Sequence, residues 1–119
     1  MTARRDVEGP IQRAVINYLR LALPGILITH TANEVAARGG DVRRAIGKAK
    51  SLGMLPGWPD LTCIWRGRIF FLEVKAPGGA MTDAQRAVAD VMAVHGALWA
   101  MVRSIDDVSA RLAEWGIGG

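Results

Sequence analysis

Three charged residues stand out by type and spacing: Asp60, Glu73 and Lys75. Asp60 follows Pro59 at the start of one apolar run, and Glu73-Val74-Lys75 closes a second run, with thirteen positions from Asp60 to Glu73. In an extended strand, residues two apart share a face, so Glu73 and Lys75 project together while Val74 turns into packing. Two converging carboxylates suit a hard divalent cation such as Mg2+, which takes oxygen donors and keeps positions for water and a phosphate. Mn2+ is expected to substitute. A cation held there polarises a phosphoryl oxygen and lowers the pKa of water. A lysine beside it stabilises negative charge as it develops. The Val74 main-chain carbonyl, between the two side chains, is a natural further oxygen ligand. A Glu-x-Lys pair at a strand end is commonly just solvated. Here, however, Ile69-Phe-Phe-Leu72 is apolar on both faces, as a central strand is, and Pro59-Asp60 repeats the charged step on its partner.

The elements that must position these residues follow from periodicity. Asp60 to Trp65 reads as a strand, Arg66-Gly67-Arg68 as a tight turn, and Ile69 to Lys75 as a second strand, together a β-hairpin. A hairpin centred there puts Asp60 opposite Glu73 or Val74. Upstream, Val7 to Ala22 has apolar residues at helical intervals, with Asp6 as its cap, Pro10 in its first turn and Pro24-Gly25 as its stop. Ile26 to His30 reads as a short strand. A short helix is expected from Val42 to Leu52 within an otherwise loop-like stretch, Thr31 to Pro59. Downstream, a helix runs from Thr82 to His95, with Thr82 and Gln85 at capping-box spacing and Asp83 in the first turn. Gly96 ends it. Ala97 to Val102 is a further strand, and Ile105 to Trp115 a last helix with Asp106 and Asp107 in its first turn. The expected architecture is one α/β domain over residues 1–119, a mixed central sheet flanked by helices.

The 119 residues suffice for a single hydrophobic core. No apolar run approaches the ~18 residues that span a bilayer, and no apolar stretch follows Arg4-Arg5 to make a secretory signal. The lone Cys63 cannot form an internal disulfide and lies in an apolar run, which reads as a buried, inert thiol in a reducing, cytoplasmic setting. His30 and His95 lack metal-ligand spacing with it or with each other. The net charge is +4, and twelve of the fifteen basic residues are arginine, whose planar fork suits phosphate. Arg38, Arg43, Arg44, Lys48 and Lys50 cluster in the stretch that leads to Asp60. They read either as a phosphate track with salt-dependent binding or as a solvated helix face. Trp58 reads either as a platform for a base or as packing for its own loop.

Gly57-Trp58-Pro59-Asp60-Leu61, then Phe71-Leu72-Glu73-Val74-Lys75-Ala76-Pro77-Gly78-Gly79, then Thr82-Asp83-Ala84-Gln85, resembles the VRR-NUC family of virus-type replication-repair nucleases, within the PD-(D/E)XK superfamily. The resemblance covers Val7 to Leu112. It implies that Asp60 and Glu73 bind the metal with the Val74 carbonyl, and that Lys75 serves the attacking water and the transition-state charge. It further implies that Glu8, on the first helix, reaches the metal directly or through water. Gln85 is either an orienting group for Lys75 or the phosphate, or a capping residue alone; Glu8 is otherwise a first-turn glutamate favoured by the helix dipole. Arg103 stands where these proteins often carry an arginine after the last strand.

The resemblance implies a Mg2+-dependent DNA endonuclease without an organic cofactor, acting on branched DNA as Holliday-junction resolvases do. A homodimer would set two active sites on one four-way junction. The competing expectations are an inactive or regulatory nucleic-acid-binding module and a nuclease acting on RNA.

Overall fold

The computed structural model describes residues 7–31, 44, 47–48, 51–53 and 55–118. Among these, the chain runs α1 (Glu8–Ala22), β1 (Leu27–His30), β2 (Leu61–Trp65), β3 (Arg68–Val74), α2 (Asp83–Val94), β4 (Leu98–Val102) and α3 (Ile105–Trp115). The four strands form one mixed sheet in the order β1-β2-β3-β4. β1 with β2 and β2 with β3 are antiparallel, while β3 and β4 are parallel and joined by the α2 crossover. β3 is thus an inner strand, as its two-faced apolarity predicts.

The β2–β3 turn is tighter than the expected three residues. Trp65 pairs with Arg68, leaving Arg66 and Gly67 as the loop. Both have positive φ, 48° and 78°, as a type I′ turn requires. The Arg66 guanidinium lies 4.4 Å from the Trp65 ring centroid, a cation–π contact that helps Arg66 hold a conformation costly for a non-glycine residue.

Alternation along the strands sorts the sheet into two faces. Leu61, Cys63 and Trp65 of β2, Phe70, Leu72 and Val74 of β3, and Ala100 and Val102 of β4 all enter the main core. There they meet Val15 and Leu19 of α1 and Val108 and Leu112 of α3, each pair spaced at i,i+4. Burying each such aliphatic side chain contributes roughly 1.5–3 kcal/mol. The opposite face carries Thr62, Phe71 and Glu73, and α2 borders it.

Two helix starts differ in how they are held. Val7 occupies the N-cap of α1 and makes no side-chain cap bond. The cap expected from Asp6 falls on a residue outside the described residues. Thr82 caps α2 in a complete capping box with Gln85, as its sequence spacing predicts. The helix expected from Val42 to Leu52 falls largely outside the described residues; Arg44, Gly47, Lys48 and Ser51 within it are helical.

Candidate active site

The hairpin register sets the site. Leu61 pairs with Leu72, so the next rung places Asp60 opposite Glu73. Asp60 lies one residue before β2 and is tied down twice. Its carbonyl accepts from the Thr31 N–H at 2.8 Å, extending the β1 pairing, and its Oδ2 accepts from the Val74 N–H at 2.8 Å. The carboxylate therefore sits against the last peptide of β3, beside Glu73.

Glu73 is only 2% exposed and Lys75 8%. Lys75 Nζ lies 4.0 Å from Glu73 Oε1, so the two side chains share the face that two-residue spacing predicts. Lys75 has just left β3, but its N–H still donates to the Val102 carbonyl at 3.0 Å. The Arg103 guanidinium donates to the Ala76 carbonyl at 2.6 Å. Together they fasten the segment that carries Lys75 to the end of β4.

Gln85 is the capping residue that its spacing allows, and it also bonds Glu73, a partner the sequence did not indicate. Its Oε1 accepts from the Thr82 N–H at 2.9 Å, closing the capping box. Its Nε2 donates to Glu73 Oε1 at 2.9 Å, so it orients Glu73 rather than Lys75. With Oε1 committed to the cap, the amide has only its donor end to turn towards the carboxylate.

Burial pushes the Glu73 carboxyl up to about 8, with the neighbouring Asp60 carboxylate adding by its charge and by hydrogen bonding. Lys75 pulls the other way and Glu8 adds a small upward push. One ammonium thus faces two close carboxylates. The remaining negative charge must be met by a proton or by a cation. This donor set fits a divalent metal ion: two carboxylates converging beside a main-chain peptide, with a lysine at the edge.

The other candidates are placed as follows. Glu8 is exposed on the first turn of α1, near enough to act on Glu73 electrostatically. Among the described residues no three His, Cys, Asp or Glu side chains cluster as metal ligands, so Glu8 stands apart from the Asp60–Glu73 pair. Arg44 and Lys48 are exposed, and Arg38, Arg43 and Lys50 lie outside the described residues. Trp58 meets Phe71 edge-on at 5.5 Å between centroids, and its indole N–H donates to Thr62 Oγ1 at 3.5 Å. Cys63 is buried in the core, where burial pushes its thiol up to about 12, as expected of an inert cysteine. Among the described residues no helix is long and apolar enough to cross a membrane.

One positioning feature escaped the sequence reading. Gly57 has φ +89°, and a Cβ there would stand 2.4 Å from the Ala84 carbonyl oxygen and 2.8 Å from the Gln85 nitrogen. Only glycine lets the turn leading to Asp60 touch the first turn of α2. The sequence signal was the glycine directly before Trp58-Pro59-Asp60.

No family model matches the sequence, and no curated protein matches it. Solved structures do. One described as a VRR_NUC domain shares 24% identity over 90% of this chain and 94% of its own, with a TM-score of 0.61. Another, described as a VRR_NUC domain protein, shares 19% identity over 98% of this chain and 99% of its own, with a TM-score of 0.68. The chain has the α/β fold of these VRR_NUC domains.

Proposed function

We propose that this chain is a nuclease of the VRR-NUC family and hydrolyses phosphodiester bonds in DNA with Mg2+, or Mn2+ in its place. One observation carries the reading: Asp60 and Glu73 face each other at the end of one hairpin, with Lys75 Nζ 4.0 Å from Glu73 Oε1. The motif resemblance and the fold shared with VRR_NUC domains point the same way.

Asp60, Glu73 and the Val74 carbonyl would hold the cation, with Glu8 reaching it through water. The bound cation would polarise the phosphoryl oxygen and lower the pKa of water. Lys75, buried beside Glu73, would steady the attacking water and stabilise the charge that builds on the phosphate oxygens. Gln85 holds the Glu73 carboxylate in place, and Arg103 holds the peptide that follows Lys75. Arg44 and Lys48, with Arg38, Arg43 and Lys50, would follow the phosphate backbone, in keeping with the net charge of +4. By the same resemblance, the substrate is branched DNA and the active form a homodimer, as for Holliday-junction resolvases.

The test is cleavage of labelled four-way junction, fork, single-stranded and linear duplex DNA, each with Mg2+, Mn2+ or EDTA, beside Lys75→Ala. Metal-dependent cutting that the variant lacks is the expected result, with paired symmetric nicks in the junction. Binding without cutting would favour a nucleic-acid-binding module, and faster cutting of RNA would move the substrate assignment.

A further inference from the structure

The sheet face that carries Glu73 opens beside it into an apolar groove of about 620 Å³. Its walls include Trp58 and Phe71 from the hairpin side, Val88, Val91 and Met92 from α2, and Leu55 at one lip. Leu55 and Val91 are 52% and 56% exposed, so the groove is reachable from solvent. The volume lies in the range of sites that take a small organic ligand.

The groove and the proposed catalytic pair are parts of one surface. Trp58 is two residues before Asp60, Phe71 is two residues before Glu73, and Ala84, in the groove wall, adjoins Gln85. Two residues of strand span about 7 Å, so Phe71 in the groove wall lies two rungs from the carboxylates. A strand with its phosphate at Asp60 and Glu73 would bring a neighbouring base within reach of this opening.

We infer that the groove between Trp58, Phe71 and α2 receives an unpaired nucleobase from the strand held at Asp60 and Glu73. This rests on the nuclease reading above. The walls are apolar and aromatic, which suits a π-face of any base and selects for stacking rather than sequence. The indole is preset for this by its edge-on contact with Phe71 and its bond to Thr62. A fully paired duplex keeps its bases stacked inside and cannot fill the groove without the cost of unstacking. The site therefore favours single-stranded, frayed or branched substrates over linear duplex.

The experiment measures equilibrium binding in Mg2+, with Lys75→Ala as the background so that no turnover intervenes. Ala87→Leu and Val91→Met would each fill part of the groove without adding a charge or an aromatic ring, and both positions are solvent-exposed on α2, so the fold should hold. Thermal melts check that it does. Three ligands are compared: a single-stranded oligonucleotide, the same strand with one abasic residue stepped through its positions, and a linear duplex.

The blocked variants should bind the single strand at least roughly fivefold more weakly and the duplex unchanged. An abasic residue at one position should cost the unblocked protein the same factor, and the blocked variants nothing further. Equal binding of all three ligands by blocked and unblocked protein would overturn the inference. So would a loss shared equally by the duplex, or a shift from dimer to monomer in sedimentation that accounts for the whole effect. Because binding is read without cleavage, the nuclease reading fails separately, when wild-type protein cuts no substrate in Mg2+ or Mn2+.

Discussion

Gln85 Nε2 donates to Glu73 Oε1 at 2.9 Å while the Oε1 of the same amide caps α2 through the Thr82 N–H. The start of a helix and the orientation of a buried carboxylate therefore depend on one side chain. Gln85→Ala should lose about 1 kcal/mol of stability as a lost cap, and at least tenfold in cleavage rate. Thr82→Ala removes the hydroxyl partner but leaves Gln85 against Glu73, so it should cost similar stability with a smaller loss of rate. Denaturant melts and single-turnover cleavage on the two variants separate these effects. Equal rate losses in both would mean that Gln85 acts only as a cap.

A pH dependence follows from Glu73. Its carboxyl is pushed up to about 8 in the folded chain from an ordinary value of 4.5, by burial and then by Asp60. The folded state thus holds a proton that the unfolded chain releases. Its contribution to stability is complete below the unfolded value and is lost as pH rises through the window from 4.5 to about 8. In EDTA, wild-type protein should melt at progressively lower temperature across that window. Glu73→Gln should lack this decline and be the more stable protein at pH 8 and above. Parallel profiles for the two proteins would remove Glu73 as the source.

The same charge balance predicts a metal effect. A cation that binds the folded state alone stabilises it by mass action. Mg2+ or Mn2+ should raise the melting temperature of wild-type protein at pH 8. Asp60→Asn, whose amide oxygen can still accept from the Val74 N–H, should abolish most of this rise and lower cleavage by a hundredfold or more. An undiminished rise in Asp60→Asn would place the cation elsewhere.

Gly57→Ala tests the close approach to α2. The added methyl would meet the backbone of Ala84 and Gln85 in a left-handed conformation that alanine resists. A loss of at least about 1–3 kcal/mol in denaturant unfolding is expected. Cleavage should fall as well, measured where the variant is still folded, because Gln85 must move relative to Glu73. Unchanged stability would show that the two segments can separate freely.

How far the sequence foretold this arrangement depended on how local each cause is. The bounds of α3, Ile105–Trp115, and the Thr82–Gln85 cap were readable because residues a few positions apart determine them. The hairpin was readable to within one residue at each end, since alternation gives the strands but not the last hydrogen bond. Asp60 proved to be a side-chain cap on β3 rather than the first residue of β2. The second role of Gln85 and the constraint on Gly57 were not readable. Each is set by a partner far along the chain, twelve positions away for Gln85 and Glu73.

The two-residue turn at Arg66-Gly67 makes the pairing of the two carboxylates a matter of parity. Asp60 and Glu73 stand on one rung of a ladder whose side chains alternate between core and site. A loop of any length at positions 66–67 leaves them on the same rung. A single residue gained or lost within β2 or β3 would send one carboxylate into the core among Leu61, Leu72 and Val74. Over evolutionary time the hairpin's tip is therefore free to grow, while the count of residues between tip and carboxylate is not.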